Sequence, residues 1–155
     1  MRRAVLLLMV LAWSGCRGVL AGELFSKTSV AYRIEAPPES EGWRRVDFAD
    51  NDLAWLHKGG QVMAVNATCS DHDDPPLDVL TRHLVMGFTD RDWVDQRAFT
   101  LDGRDALRST WLTLVVVKKN GCVHDFTYIS PDGREGEQAQ RFEALVAGFQ
   151  QERRR

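Results

Sequence analysis

The chain has 155 residues, 44 % of them hydrophobic and 27 % charged, with a formal net charge of −2. That is enough chain for one domain with a real core. The mild acidity argues against nucleic acid as a partner, since nucleic-acid binders carry basic patches.

The first segment, 1–15, reads as a signal peptide. Arg2 and Arg3 precede the apolar run Ala4–Trp13, and the small residues Ser14 and Gly15 follow. A bilayer-spanning helix needs about 20 apolar residues, roughly twice this run. Ser14-Gly15-Cys16 resembles the lipobox of bacterial lipoproteins, in which the cysteine becomes the lipidated first residue. Trp13 departs from that pattern, which prefers Leu. The rival is cleavage after Ala21, because Val19-Leu20-Ala21 fits a small-x-small site. A leader that is instead a buried helix is the third reading. Lipidation at Cys16 predicts an exported protein held in the cell envelope by acyl chains, which contribute about 0.8 kcal/mol per buried methylene. Arg17 stands where the enteric sorting rule places a retention Asp, which favours the outer membrane over the inner. Loss of Arg2 and Arg3 with the leader takes the net charge from −2 to −4.

Three cysteines minus one anchor leave Cys69 and Cys122 in an oxidising compartment. A bridge between them would close a loop worth about 4 kcal/mol in the chain-entropy picture. Two buried free thiols are the alternative.

Residues 16–28 read as the lipidated N-terminus and a tether, 29–150 as the domain, and 151–155 as a solvated basic tail ending in Arg153-Arg154-Arg155. Val30–Ile34 alternates and stops at Pro37-Pro38. Trp43–Phe48 is a second predicted strand. Leu53–His57 and Gln61–Cys69 flank Lys58-Gly59-Gly60, a hairpin signal. Asp73-Asp74-Pro75-Pro76 then opens a helix whose apolar face is Leu77, Leu80, Leu84, Val85 and Phe88, with Gly87 as its stop. Trp93–Leu101 is β, Asp102-Gly103 turns, and Ala106–Lys119 reads as one long strand. Asn120-Gly121 favours a type I′ turn. Its two-residue loop predicts that Lys119 faces Cys122, Val117 faces His124 and Val115 faces Phe126. A final helix carries Ala139, Phe142, Leu145, Val146 and Phe149 on one side. Short turns demand antiparallel pairing, and two amphipathic helices must cover sheet faces. The fold class is therefore α+β.

Chemistry is scarce in the pattern. His72 between Asp71 and Asp73 lacks a second cluster with ligand spacing, so no metal is expected. The neighbouring carboxylates suit a helix N-terminus. Cys122 and His124 share a strand face about 7 Å apart, too far for a thiolate and its base. Ser109 and Ser130 have no identifiable base, and phosphate loops and dinucleotide fingerprints are absent. No catalytic residue and no cofactor are expected. Trp55, Trp93 and Trp111, with Trp43, read first as packing residues. An aromatic ligand pocket formed by Trp55, Trp93 and Trp111 is the speculative alternative.

"YRIEAP…GWRRV", "LDGRDALRSTW", "VVVKKNGCVHDFTYIS" and "RFEALVAGF" together resemble the PsbP-like family over about Val30–Gln150. The motifs are loose and none is catalytic. The resemblance implies a central, mainly antiparallel sheet of about six or seven strands in an α/β/α-type sandwich flanked by two helices. It also implies a non-enzymatic binding or assembly role. The expected function is that of a lipid-anchored accessory domain whose partner is another envelope protein. The expected surface is a helix-free sheet edge or the acidic loop Ser70–Asp74. A small-molecule or ion carrier is the alternative.

Overall fold

The computed structural model describes residues 18–48, 50–70, 75–84, 96–109, 113–131 and 136–152. Its first half contains β1 (Val19–Ala21), β2 (Leu24–Lys27), β3 (Val30–Arg33), a 3-10 turn at Glu39–Glu41, β4 (Trp43–Arg45), β5 (Leu53–His57), β6 (Val62–Cys69) and α1 (Leu77–Leu84). The second half contains β7 (Gln96–Leu101), β8 (Arg104–Ser109), β9 (Thr113–Lys119), β10 (Cys122–Ile129), α2 (Glu137–Ala147) and β11 (Gln150–Gln151).

The strands form two antiparallel sheets. One has seven strands in the order β4-β5-β6-β10-β9-β8-β7, the size expected from the sequence. The other is a four-stranded sheet, β1-β2-β3-β11. Two of its strands lie in the segment expected to be a tether, so that expectation is corrected. The reason is visible at Phe25, which is fully buried, and at Leu20, which packs against the same core. Gly18 permits the approach: a Cβ there would come within 2.1 Å of the Phe25 ring. The short C-terminal strand β11 closes the sheet by pairing Gln150 with Arg33 and Gln151 with Tyr32. Gln151, expected to begin a solvated tail, is therefore half-buried strand.

Turn chemistry sets the register of the large sheet. Asn120 and Gly121 have φ of 52° and 74°, and Asp102 and Gly103 have 48° and 70°. Positive φ at both central residues is the type I′ signature. Lys119 accordingly faces Cys122, Val117 faces His124 and Val115 faces Phe126. The long run Ala106–Lys119 is not one strand. It is β8 and β9, paired from Ala106↔Val117 to Ser109↔Leu114. A single strand of that length would reach about 46 Å and outrun its neighbours, whereas doubling back pairs both halves. The strand expected at Trp43–Phe48 is likewise shorter and ends at Arg45, although the Val46 amide still donates to the Ala54 carbonyl at 3.0 Å.

Alternation divides the large sheet between two cores. Val115, Val117, Phe126 and Tyr128 face the four-stranded sheet and Phe142, Leu145 and Val146 of α2. Leu114 and Val116 face the other way, towards Leu77 and Leu80 of α1. The first helix departs from its predicted stripe. Thr81 is its fully buried residue, with the hydroxyl donating to the Leu77 carbonyl at 2.7 Å, while Leu84 is exposed. Val85, Gly87 and Phe88 lie outside the described residues.

Cys69 and Cys122 stand directly opposite each other in β6 and β10, with Cα atoms 4.0 Å apart, and are joined by a disulfide.

Candidate functional site

Among the described residues, the face of the large sheet that carries α1 is only partly covered. The helix lies over β8 and β9. Beside it, over β6 and β10, a cleft of about 160 Å³ remains, floored by Ala64, Leu114, Asp125, Thr127 and Ile129. Leu84 at the end of α1 and Phe48 with Asn51 from the β4–β5 connection complete its wall. Asn51 holds that connection in shape, its side-chain amide donating to the Phe48 carbonyl at 2.9 Å. Phe48 and Leu84 are 45 % and 37 % exposed, high for large apolar side chains.

Asp125 is the one titratable side chain lining the cleft among the described residues. It is buried, and it sits opposite Asn66 in the β10–β6 pairing. Asn66 donates to Oδ2 across a long 3.4 Å. Burial pushes the carboxyl up to about 6, against the weaker opposing effect of that hydrogen bond. One carboxyl can hold a proton or a counter-charge, but it does not make an acid–base pair.

Among the described residues, several other polar clusters hold the chain together. Ala67 lies beyond the end of the β5–β6 pairing, which stops at Leu53↔Val65. Its two backbone groups are instead satisfied by side chains: the amide donates to Asp52 Oδ2 at 3.0 Å, and the carbonyl accepts from Lys27 Nζ at 2.5 Å. Lys27 also pairs with Asp52 Oδ1 at 2.6 Å. Burial, and then the nearby Asp52 charge, hold the Tyr32 hydroxyl far above its ordinary range. A second cluster joins the C-terminal strand to the turns: Lys119 pairs with Asp102, whose carboxylate also accepts from the Gln151 amide at 3.0 Å. Arg141 on α2 pairs with Glu41. His57 Nδ1 accepts from the Gly59 amide, which leaves Nε2 to donate to the Glu41 carbonyl at 3.0 Å.

His124 is different. It is fully buried, with its ring tilted against Phe149 and edge-on to Tyr32, and neither ring nitrogen has a hydrogen-bond partner among the described residues. Burial pushes it down to about 4, while the neighbouring Gln151 side chain works the other way without reaching hydrogen-bond geometry.

Of the three tryptophans expected to form an aromatic pocket, Trp55 is the one among the described residues. Trp55 is in the core on the opposite face of the sheet, with the Arg45 guanidinium 5.7 Å from its ring, and it does not line the cleft. Trp55 is the central residue of β5, and strand alternation turns its ring inward. Trp43 is also core, with its indole N–H donating to Gln138 at 3.2 Å. Trp93, Trp111 and Cys16 lie outside the described residues, as do Asp71–Asp74 with His72. Among the described residues no group of three or more His, Cys, Asp or Glu is placed to hold a metal ion. Phe48, Asn51 and Asp125 were missed by sequence reasoning. Asp125 had a signal: it is a charge inside the β-rich run Cys122–Ile129, on the face opposite His124.

With this geometry in hand, the chain can be set beside known proteins. No protein-family profile and no curated protein matches it in sequence. In structure it is similar to cyanobacterial PsbP (CyanoP) from Synechocystis sp. PCC 6803, solved in solution. The TM-score is 0.55 at 17 % identity, covering 90 % of this chain and 99 % of that one. The fold is PsbP-like.

Proposed function

We propose that this protein is an exported, lipid-anchored accessory domain without catalytic activity, which binds another protein of the cell envelope through the α1-side cleft. The observation that carries the reading is the exposed apolar pair Phe48 and Leu84 at the mouth of a cleft. Large apolar groups kept in water around a concavity favour a partner that covers them. The use of the Lys27–Asp52, Lys119–Asp102 and Arg141–Glu41 pairs as backbone and inter-element ties supports a non-enzymatic role.

Anchoring through Cys16 is supported by the use made of the residues just after it. Cleavage after Ala21 would remove all of β1 and the Gly18 contact with Phe25. Processing before Cys16 keeps both. Only Arg17 and Gly18 would then separate the lipidated residue from β1, a reach of about 10 Å. The domain would sit close to the outer-membrane surface, with Val19, 64 % exposed, nearest to it.

Two measurements test the proposal. Intact mass of the membrane-extracted protein is expected to show acylation at Cys16; a chain beginning at Gly22 refutes the anchor. A photo-crosslinking residue at Phe48, activated in intact cells, is expected to capture one defined envelope protein. Failure to capture any, together with normal envelope assembly in a deletion strain, refutes the partner.

A further inference from the structure

Three inward-facing carboxylates can be compared. Asp52 holds Lys27 and the Ala67 amide. Asp102 holds Lys119 and the Gln151 amide. Asp125 is buried, yet its hydrogen bonding is one long contact from Asn66, and among the described residues no lysine or arginine forms an ion pair with it. Lys118, on the same sheet face, directs its ammonium to the Pro75 carbonyl at 2.8 Å. A buried carboxylate without a cation is costly. This one opens onto a cleft with apolar walls.

We propose that the cleft is a binding site for an aliphatic primary ammonium group, with Asp125 as its counter-ion and Leu84, Leu114, Ile129 and Phe48 packing its carbon stem. The inference deepens the binding reading and rests on it only for the choice of surface. The chemistry follows from what is present. A hard divalent ion needs six or more oxygen ligands, and the cleft supplies one carboxylate. A guanidinium is best held by both carboxylate oxygens, and Asn66 already engages Oδ2. A single ammonium needs one open oxygen and tolerates an apolar stem beside it. The volume agrees, since about 160 Å³ matches a cavity that takes a benzene-sized guest. Such an ammonium belongs either to a free amine or to a lysine side chain of the partner.

The test uses the full-length chain in detergent and follows backbone amide shifts of Thr127 and Ile129. n-Pentylammonium chloride is expected to give saturable shifts, with pentan-1-ol weaker by at least about tenfold, the value of one charge-assisted hydrogen bond. Asp125→Asn is expected to bring the ammonium down to the level of the alcohol. Leu84→Trp, at an exposed position, is expected to block the mouth and weaken the ammonium by at least about tenfold as well. A third titration with Nα-acetyl-lysine N-methylamide separates the sources. Saturable binding there identifies a partner's lysine, and binding of pentylammonium alone identifies a free amine; either supports the site. Absence of saturable binding by pentylammonium, equal binding of the alcohol, or undiminished binding to Asp125→Asn overturns it. Crosslinking from Phe48 with no ammonium binding would remove this inference and leave the partner reading intact. Ammonium binding with no captured partner would do the reverse.

Discussion

Replacing His124 by leucine is expected to change how stability depends on pH, and the sign can be worked out. The ring is fully buried between Tyr32 and Phe149 with both nitrogens unpartnered, which keeps it neutral down to about pH 4. In the unfolded chain it takes a proton near pH 6.5. Between those values the unfolded state binds more protons, so His124 lowers stability as pH falls through that window. The full effect is on the order of 3 kcal/mol. Its neighbour Asp125 acts in the opposite direction. The folded chain holds the carboxyl proton up to about pH 6 and the unfolded chain releases it near 3.8, so Asp125 adds stability as pH falls from about 6 to 4. That effect is also on the order of 3 kcal/mol. In the natural protein the two slopes oppose each other across nearly the same window. His124→Leu removes one of them. At pH 7.5, lost ring contacts of about 1 kcal/mol are offset by removal of two unpaired nitrogens, leaving the variant within about 1 kcal/mol of the natural protein. At pH 4.5 it is expected to be more stable than at pH 7.5 by about 2 kcal/mol. Asp125→Asn is expected to tilt the profile the other way. Urea denaturation followed by tryptophan fluorescence at the two pH values reads both. A His124→Leu profile that parallels the natural one would refute the reasoning.

Three further changes test the scaffold. Reduction of the Cys69–Cys122 bridge is expected to lower stability by about 4 kcal/mol, read as a drop in urea midpoint with and without reductant; an unchanged midpoint contradicts it. Lys27→Met strips the cation from Asp52 and the donor from the Ala67 carbonyl, with an expected loss of about 3 kcal/mol by equilibrium denaturation. A loss below about 1 kcal/mol would place the pair among ordinary surface ion pairs. Gly18→Ala forces a methyl into the buried Phe25 ring and is expected to cost about 1–3 kcal/mol, seen as a lower melting temperature. Tolerance of alanine there would return the first strand to the status of a tether.

Much of the site was hidden because its parts are remote in sequence. Phe48, Leu84 and Asp125 meet in one cleft, yet each alone reads as an ordinary strand or helix residue. Trp55 was hard to read for a related reason. Aromatic residues advertise contact, but only the side of the sheet on which Trp55 falls decides whether that contact is with a ligand or with the core. The disulfide was more legible, since compartment and count pointed to a pair before any geometry was known. The choice between a bridge and two free thiols required the β6–β10 register.

The amino-acid sequence by itself determined the hairpins. Asn120-Gly121 and Asp102-Gly103 demand positive φ at adjacent residues, and that local demand sets strand register without reference to the rest of the chain. It also determined the inward face of α2, because helical periodicity is a property of consecutive residues. Tertiary structure alone decided that residues 19–21 and 24–27 are strands, that the run after Ala106 doubles back, and that Asp52 and Lys27 serve the Ala67 backbone while Asp125 is left facing a cleft. Those outcomes depend on which distant surfaces meet and which buried polar groups they satisfy. Nearest-neighbour chemistry does not carry that information.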